Sequence, residues 1–141
     1  MGSDAFSLIH RSGESWSIKT QRIIRAIING SSSEPPDLVA VARKVHISTR
    51  TLRRHLFREG TNFREVKDQV LKGITEKYMG KPDMRIASIA AICGYKNQSG
   101  FTRAFTSWHG MSPMQYRKIL VEQNREKEKQ QTEKSRALWG G

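Results

Sequence analysis

Apolar residues recur along the chain at intervals of three and four, and no segment alternates steadily between apolar and polar positions. Intervals of three and four place side chains on one face of a helix, whereas alternation is typical of a strand. The prolines and most of the glycines fall between these periodic segments, where helices begin and end. The pattern therefore predicts an all-α fold with seven helices.

The predicted helices are separated by short polar turns. They span about residues 15–28, 37–45, 48–59, 63–79, 83–93, 97–109 and 113–121. Most starts carry a side chain that can accept a hydrogen bond from the first helical turn. The predicted N-caps are Asp37, Ser48, Asn62, Asp83, Asn97 and Ser112. We read SSSEPP, at residues 31–36, as a loop.

An internal repeat relates the second and third helices to the fifth and sixth. The second and fifth helices match at an offset of 48 residues, as Leu38/Ile86, Val41/Ile89, Ala42/Ala90 and Val45/Cys93. The third and sixth match at an offset of 49, as Ser48/Asn97, Leu52/Phe101, Arg54/Arg103 and Leu56/Phe105. Each half is a short helix, a tight turn and a second helix, which is the helix-turn-helix arrangement. Both halves are expected to be homeodomain-like.

The repeat predicts a domain organisation in five parts. Residues 1–14 are expected to be disordered or left from cloning, and residues 15–60 to form the first helix-turn-helix unit. Residues 61–80 form a linker helix, and residues 81–121 the second unit. Residues 122–141 are a polar tail, frayed or disordered, because they carry too few apolar side chains to bury a face.

The balance of charge favours a polyanionic partner. The chain has 141 residues, with 25 Lys and Arg against 13 Asp and Glu, and a formal net charge of +12. Nucleic acid is the first candidate and an anionic surface the second. No apolar run approaches the ~20 residues that cross a membrane, and the N-terminus lacks a signal-peptide pattern. We therefore expect no membrane partner.

The residues that could support catalysis or bind a metal are scattered. Cys93 is the only cysteine, so no internal disulfide is possible, and a reducing cytoplasm fits. It shares an apolar stripe with Ile89 and Ala90, which favours a core role over a nucleophile in a nucleic-acid repair enzyme. The four histidines lack metal-ligand spacing, and no paired carboxylates converge. We expect no enzyme activity, no cofactor and no metal.

The third helix carries a basic face opposite its apolar one. Leu52 and Leu56 point inward, and the opposite face carries Arg50, Arg53, Arg54 and Arg58. A guanidinium matches guanine O6 and N7 in the major groove, or a phosphate. A solvated charged surface is the alternative. Phe57 lies among these arginines, where it packs on the linker helix or contacts a thymine methyl group.

The sixth helix has the same design with different chemistry. Phe101, Phe105 and Trp108 share the core side, and the outer side carries Gln98, Ser99, Thr102, Arg103 and Thr106. Gln pairs with adenine, and Arg with guanine. A linker helix of about 16 residues spans ~24 Å, which suits recognition helices near the ~34 Å spacing of successive major grooves.

Residues 86–118, IASIAAICGYKNQSGFTRAFTSWHGMSPMQYRK, resemble the signature of the AraC/XylS family of bacterial transcription regulators. The stretches SxRTLxRxL at residues 48–56 and GTxF at residues 60–63 resemble its upstream half, so the resemblance covers residues 17–118. It implies a seven-helix domain with two helix-turn-helix units. His46 departs from the pattern because Gly is usual there, and Gly100 because a larger residue is usual.

The resemblance also implies roles for individual residues. Base contacts are expected from Arg50, Arg53, Arg54, Gln98, Ser99, Thr102 and Arg103. DNA backbone contacts are expected from Ser48, Thr49, Lys96, Asn97, Ser112 and Arg117. The implied partners are double-stranded DNA and RNA polymerase. The separate effector domain of most family members does not fit before the first helix, so the chain is expected to be either a C-terminal fragment, which we favour, or a short stand-alone member.

The sequence therefore predicts a sequence-specific DNA-binding regulator of transcription in the bacterial cytoplasm, at the nucleoid when bound. Two alternatives stay open. One is a non-specific binder of nucleic acid or of an anionic surface, driven by the charge of +12 alone. The other is the DNA-binding part of a repair protein.

Overall fold

The computed structural model describes residues 13–30 and 35–139, and every regular element in this range is a helix. In chain order the helices are α1 Trp16–Asn29, α2 Leu38–Lys44, α3 Thr49–Arg58, α4 Phe63–Met79, α5 Ile86–Ile92, α6 Gln98–His109 and α7 Pro113–Trp139. For the described part of the chain, the predicted all-α fold and its seven helices are confirmed. The predictions for residues 1–12, for residues 31–34 of the loop and for residues 140–141 lie outside it.

Most of the helices begin at a side chain that caps the first turn, as predicted. Backbone N–H groups donate to Asp37 over 2.8 Å, Ser48 over 3.1 Å, Asn62 over 3.0 Å, Asn97 over 2.9 Å and Ser112 over 3.2 Å. At Ser112 the capping is reciprocal, since the Gln115 side chain accepts from the Ser112 N–H. Pro113 is the first residue of α7, where its missing N–H costs nothing.

The predicted cap at Asp83 is wrong, because α5 begins at Ile86. Before it begins, the chain closes a separate turn in which the Met84 N–H donates to the Lys81 carbonyl over 3.1 Å. Pro82 lies in this turn and suits its second position. The first carbonyl to accept a bond from α5 is that of Arg85, so Arg85 takes the N-cap position.

The described residues form two compact units. The first comprises the residues up to Gly73 together with Ile92–Gly94, and the second comprises Ile74–Ala91 with the residues from Tyr95 onward. In the first unit α1 packs against α2 and α3, which also pack against each other. Its buried apolar residues are Ile23, Ile24, Ile27, Ala40, Val41, Ala42, Val45, Leu52, Leu56, Val66, Val70, Leu71 and Cys93.

The core of the second unit is built on aromatic rings. Phe101 and Phe105 are fully buried on α6, which packs against α7. The Phe105 ring meets Tyr116 edge-on, with the ring centroids 5.3 Å apart, and lies 4.3 Å from the ring of His109. The His109 Nε2 atom lies within hydrogen-bond distance, 3.3 Å, of the Thr75 hydroxyl. Ring contacts and a hydrogen bond therefore hold the C-terminal half of α6 in place.

The internal repeat extends to the geometry of the turns. Helices α2 and α5 are each seven residues long and begin 48 residues apart. The residue two places after each helix has a positive φ, +58° at His46 and +89° at Gly94. The next N–H then bonds back to the helix, from Ile47 to Ala42 and from Tyr95 to Ala90. The extra residue of the second turn is Lys96, between Tyr95 and the Asn97 cap.

Helix α7 continues well past the second unit's core. It runs to Trp139, and every side chain from Glu122 to Trp139 is exposed. Isolated helical segments gain little stability without packing. This part of α7 therefore adds helix without adding buried surface.

Candidate nucleic-acid interface

Helix α3 presents its four arginines to solvent. Leu52 and Leu56 are completely buried, whereas the opposite side exposes Arg50, Arg53, Arg54 and Arg58. Within the residues that the structure describes, none of these guanidinium groups forms an ion pair. Four exposed cations on one face repel each other unless an anion lies against them. The face is therefore electrostatically suited to a phosphate backbone or to the acceptor groups of guanine.

The position of α3 is fixed partly by contacts with α1. The Trp16 and Ser17 N–H groups donate to the Glu59 carboxylate over 2.6 and 2.9 Å. An anion at a helix N-terminus is favourable, because the first N–H groups lack partners within the helix. The Trp16 ring also stacks on His55 at a centroid distance of 4.2 Å. These contacts join residues about 40 positions apart, and no local pattern in the sequence indicates them.

Helix α6 repeats the arrangement in the second unit. Gln98, Ser99 and Arg103 are exposed on its outer side, and Thr102 is half-buried. The Thr106 hydroxyl donates to the Thr102 carbonyl over 2.8 Å, so it is already engaged within the helix. The expected core side is confirmed for the two phenylalanines, while Trp108 is only half-buried. The outer side offers amide, hydroxyl and guanidinium groups.

The residues expected to contact the DNA backbone lie in different settings. Thr49 is half-buried at the start of α3, and Lys96 is exposed just before α6. The side-chain oxygens of Ser48, Asn97 and Ser112 already accept from their own helices. Their location still puts them beside the unpaired N–H groups of a first turn, where phosphates bind well.

Arg117 has a structural contact of its own. It is half-buried, and its guanidinium donates to the carbonyls of Met79 and Tyr78 over 3.4 and 3.5 Å. These carbonyls end α4 and lack partners within the helix. Arg117 therefore caps the C-terminus of α4, and a phosphate contact by the same side chain stays a prediction.

The structure brings the candidate residues together as two separate groups. Ser48, Thr49, Arg50, Arg53 and Arg54 lie at or on α3 in the first unit. Lys96, Asn97, Gln98, Ser99, Thr102 and Arg103 lie at or on α6 in the second, and Ser112 and Arg117 lie at or on α7 in that unit. Each helix-turn-helix unit thus presents one capped helix with polar side chains on its open side.

The setting of Cys93 disfavours a catalytic role for its thiol. Cys93 is 2% exposed, and burial raises the pKa of its thiol to about 12, with the charge of Lys67 acting in the opposite direction. A thiol with so high a pKa stays protonated and is a weak nucleophile at neutral pH. In the described part of the chain, no three His, Cys, Asp or Glu residues are grouped as metal ligands would be. None of the described helices has the length and apolar character needed to cross a membrane.

Together, the repeated helix-turn-helix units and their polar outer helices define a DNA-binding domain. Residues 41–119, more than half of the chain, match the helix-turn-helix domain family HTH_18. The chain belongs to this family and carries the AraC-type domain predicted from its sequence. Sequence-specific DNA binding in the regulation of transcription is the function of this class of domain.

Known proteins similar to this chain include regulators of transcription. The ornithine utilization regulator of Pseudomonas aeruginosa is 36% identical over 94 residues, which cover 67% of this chain and 28% of that protein. The crystal structure of CdpR, also from P. aeruginosa, has a TM-score of 0.65 at 31% identity, covering 73% of this chain and 31% of that one. The C-terminal domain of AraT, a response regulator from Geobacillus stearothermophilus, has a TM-score of 0.63 at 25% identity, covering 75% and 86%. The chain spans less than a third of the length of the curated relatives it matches.

Proposed function

We propose that this chain binds a defined duplex DNA sequence with α3 and α6 in two major-groove segments, and so regulates transcription. One observation carries the proposal. At matched positions of the repeat, each unit buries one side of a capped helix and exposes hydrogen-bonding side chains on the other. A helix held in this way can enter a major groove, because its N-terminal residues reach the base edges.

The two helices are suited to different bases. On α3, the forked guanidiniums of Arg50, Arg53 and Arg54 match guanine O6 and N7. On α6, Gln98 matches adenine and Arg103 matches guanine. We assign Ser99 and Thr102 to base contacts as well, because a hydroxyl both donates and accepts a hydrogen bond.

The DNA backbone supplies the rest of the affinity in this proposal. We assign backbone contacts to Ser48, Thr49, Lys96, Asn97, Ser112 and Arg117. The net charge of +12 favours them. Each phosphate that a cation neutralises releases condensed counterions, so binding weakens steeply as the salt concentration rises.

We place this binding in a bacterial cytoplasm, at the nucleoid, with RNA polymerase as a protein partner. The ornithine utilization regulator and the urease operon transcriptional activator are bacterial proteins that support this setting by their similarity. We assign no enzyme activity to the chain. The buried, protonated thiol of Cys93 supports that assignment against a role in DNA repair.

A selection from random duplexes at ~0.15 M salt tests the proposal, since that concentration screens weak non-specific attraction. The expected result is one enriched sequence with two separate parts. Arg54→Ala should relax the base preference in one part and Arg103→Ala in the other, at a cost of about 1–3 kcal/mol each. Arg125→Ala, which removes an exposed cation from α7, is the matched control and should leave both preferences intact.

Two results would contradict the proposal. Enrichment of no sequence would mean that the charge alone drives binding, as in the non-specific alternative. If instead Arg54→Ala and Arg103→Ala weakened all duplexes equally, these residues would contact the backbone rather than the bases.

A further inference from the structure

Phe57 is a large apolar side chain in the middle of the arginine face of α3. It is 81% exposed. It follows Arg50 by seven residues, Arg53 by four and Arg54 by three, and side chains at these intervals share one face of a helix. Among the described residues it makes no contact with another ring. The linker helix therefore leaves most of the Phe57 side chain uncovered.

Phe57 also forms one wall of an open groove in the first unit. The groove has a volume of about 490 Å³, and its lining includes Leu38, Phe57, Phe63, Arg53 and Arg64. Most of the lining surface is apolar, and Arg53 and Arg64 add positive charge. The groove therefore suits a partner that is anionic overall and brings an apolar group to the surface.

Duplex DNA has both properties. Its phosphates are anionic, and the C5-methyl group of thymine is the one apolar group that a base pair displays in the major groove. An acidic protein segment would have similar chemistry. DNA is favoured because Arg53 belongs both to the groove and to the face already assigned to base contacts, so that the two surfaces are continuous.

We propose that Phe57 contacts a thymine methyl group and adds base specificity next to the guanine contacts of the arginines. The inference rests on the proposed DNA-binding function. Along a helix axis, Phe57 lies about 4.5–6 Å beyond Arg54 and Arg53, at ~1.5 Å per residue. Stacked bases are ~3.4 Å apart, so the thymine lies about one or two base pairs from a guanine that either arginine contacts.

Replacing thymine by deoxyuridine tests this contact, because the two differ only in the methyl group. In the part of the enriched duplex whose base preference depends on Arg54, each thymine is replaced by deoxyuridine, one at a time. The affinity of the chain for each duplex is measured by fluorescence anisotropy. At one position near the Arg53- or Arg54-dependent guanine, the wild-type chain should bind the deoxyuridine duplex about fourfold more weakly, the value expected for one buried methyl group.

Variants at position 57 assign the effect to the side chain. Phe57→Ala should bind the thymine and deoxyuridine duplexes equally well, and Phe57→Leu should keep most of the difference, because it keeps an apolar contact. Ile18→Ala is the matched control, since Ile18 is an exposed apolar residue on α1, and it should keep the full difference. Circular dichroism checks that each variant remains folded.

The outcomes separate this inference from the proposed function. If a sequence is enriched but no thymine can be told from deoxyuridine, Phe57 does not read a methyl group, while the DNA-binding proposal stands. The same holds if Phe57→Ala keeps the difference, because another residue then makes the contact. If no sequence is enriched at all, the proposed function fails and this inference fails with it.

Discussion

The two turns of the repeat allow a pair of opposite substitutions at equivalent positions. His46 and Gly94 both have a positive φ, +58° and +89°. Only glycine takes this geometry without a steric penalty. We therefore expect His46→Gly to raise the free energy of unfolding and Gly94→Ala to lower it.

The change in the free energy of unfolding follows from backbone strain and from the entropy of the unfolded chain. A non-glycine residue in the left-handed region costs about 1–2 kcal/mol, and histidine lies near the low end. Replacing histidine by glycine also raises the entropy of the unfolded chain, which lowers the free energy of unfolding by about 0.4–1 kcal/mol. His46→Gly should then stabilise the fold by about 0.5 kcal/mol.

Gly94→Ala adds a steric term to the backbone term. A Cβ atom at position 94 would lie 3.0 Å from Cδ of Pro36, which is buried. Crowding of this kind typically costs about 1–3 kcal/mol, and with the net backbone term added the total loss should be about 1.5–4 kcal/mol. Gly60→Ala separates the two terms, because Gly60 also has a positive φ, +77°, but an added Cβ would meet nothing within 4 Å.

Urea unfolding, followed by circular dichroism at 25 °C, measures all three variants against the wild-type chain. The expected order of stability is His46→Gly, wild type, Gly60→Ala and then Gly94→Ala. A loss of stability in His46→Gly would refute the argument that the first turn is strained. Equal losses in Gly60→Ala and Gly94→Ala would refute the contribution of the contact with Pro36.

Two further substitutions test the contact between α3 and α1 at Glu59 and the glycine within α6. Glu59→Gln should cost about 0.5–1 kcal/mol in urea unfolding, because the N-terminus of α1 loses an anionic cap, and Glu126→Gln on the exposed part of α7 should cost nothing measurable. If Glu59→Gln and Glu126→Gln changed the free energy of unfolding equally, the Glu59 cap would not be stabilising. Gly100→Ala should raise stability by about 0.5–1 kcal/mol, because alanine lowers the entropy of the unfolded chain and an added Cβ would approach its neighbours no closer than 3.4 Å. A loss of stability would show that α6 needs glycine at this position for its own packing.

The fold was predictable wherever local chemistry decides it. The apolar stripes and the capping residues placed most helix boundaries to within a few residues, because both act over one or two turns. The end of the last helix is the exception, since α7 runs to Trp139 and not to about residue 121, where its apolar positions stop. The family resemblance indicated that glycine is usual at position 46, and His46 does have a positive φ, as Gly94 has in the second turn. Asp83 misled the prediction because the same residue type starts helices and stabilises turns.

The candidate site was predictable only in part. A helical wheel is enough to tell the arginine side of α3 from Leu52 and Leu56, since burial follows the period of the helix. The contacts of Arg117 with α4 and of Glu59 with α1 could not be foreseen, because they join residues 38 and 43 positions apart. Neither could the groove beside Phe57, since Leu38 and Phe63 reach it from other helices.

The repeat also bears on what kind of DNA site the proposed function requires. A symmetric dimer presents two identical helices, and its operator is palindromic for that reason. Here one chain carries both helices, and their outer sides differ: four guanidiniums on α3, against an amide, hydroxyls and one guanidinium on α6. Lys96 also lengthens one turn and not the other. Because neither the chemistry nor the length of the two halves matches, the two parts of the enriched sequence should differ, with guanine dominant opposite α3 and adenine present opposite α6.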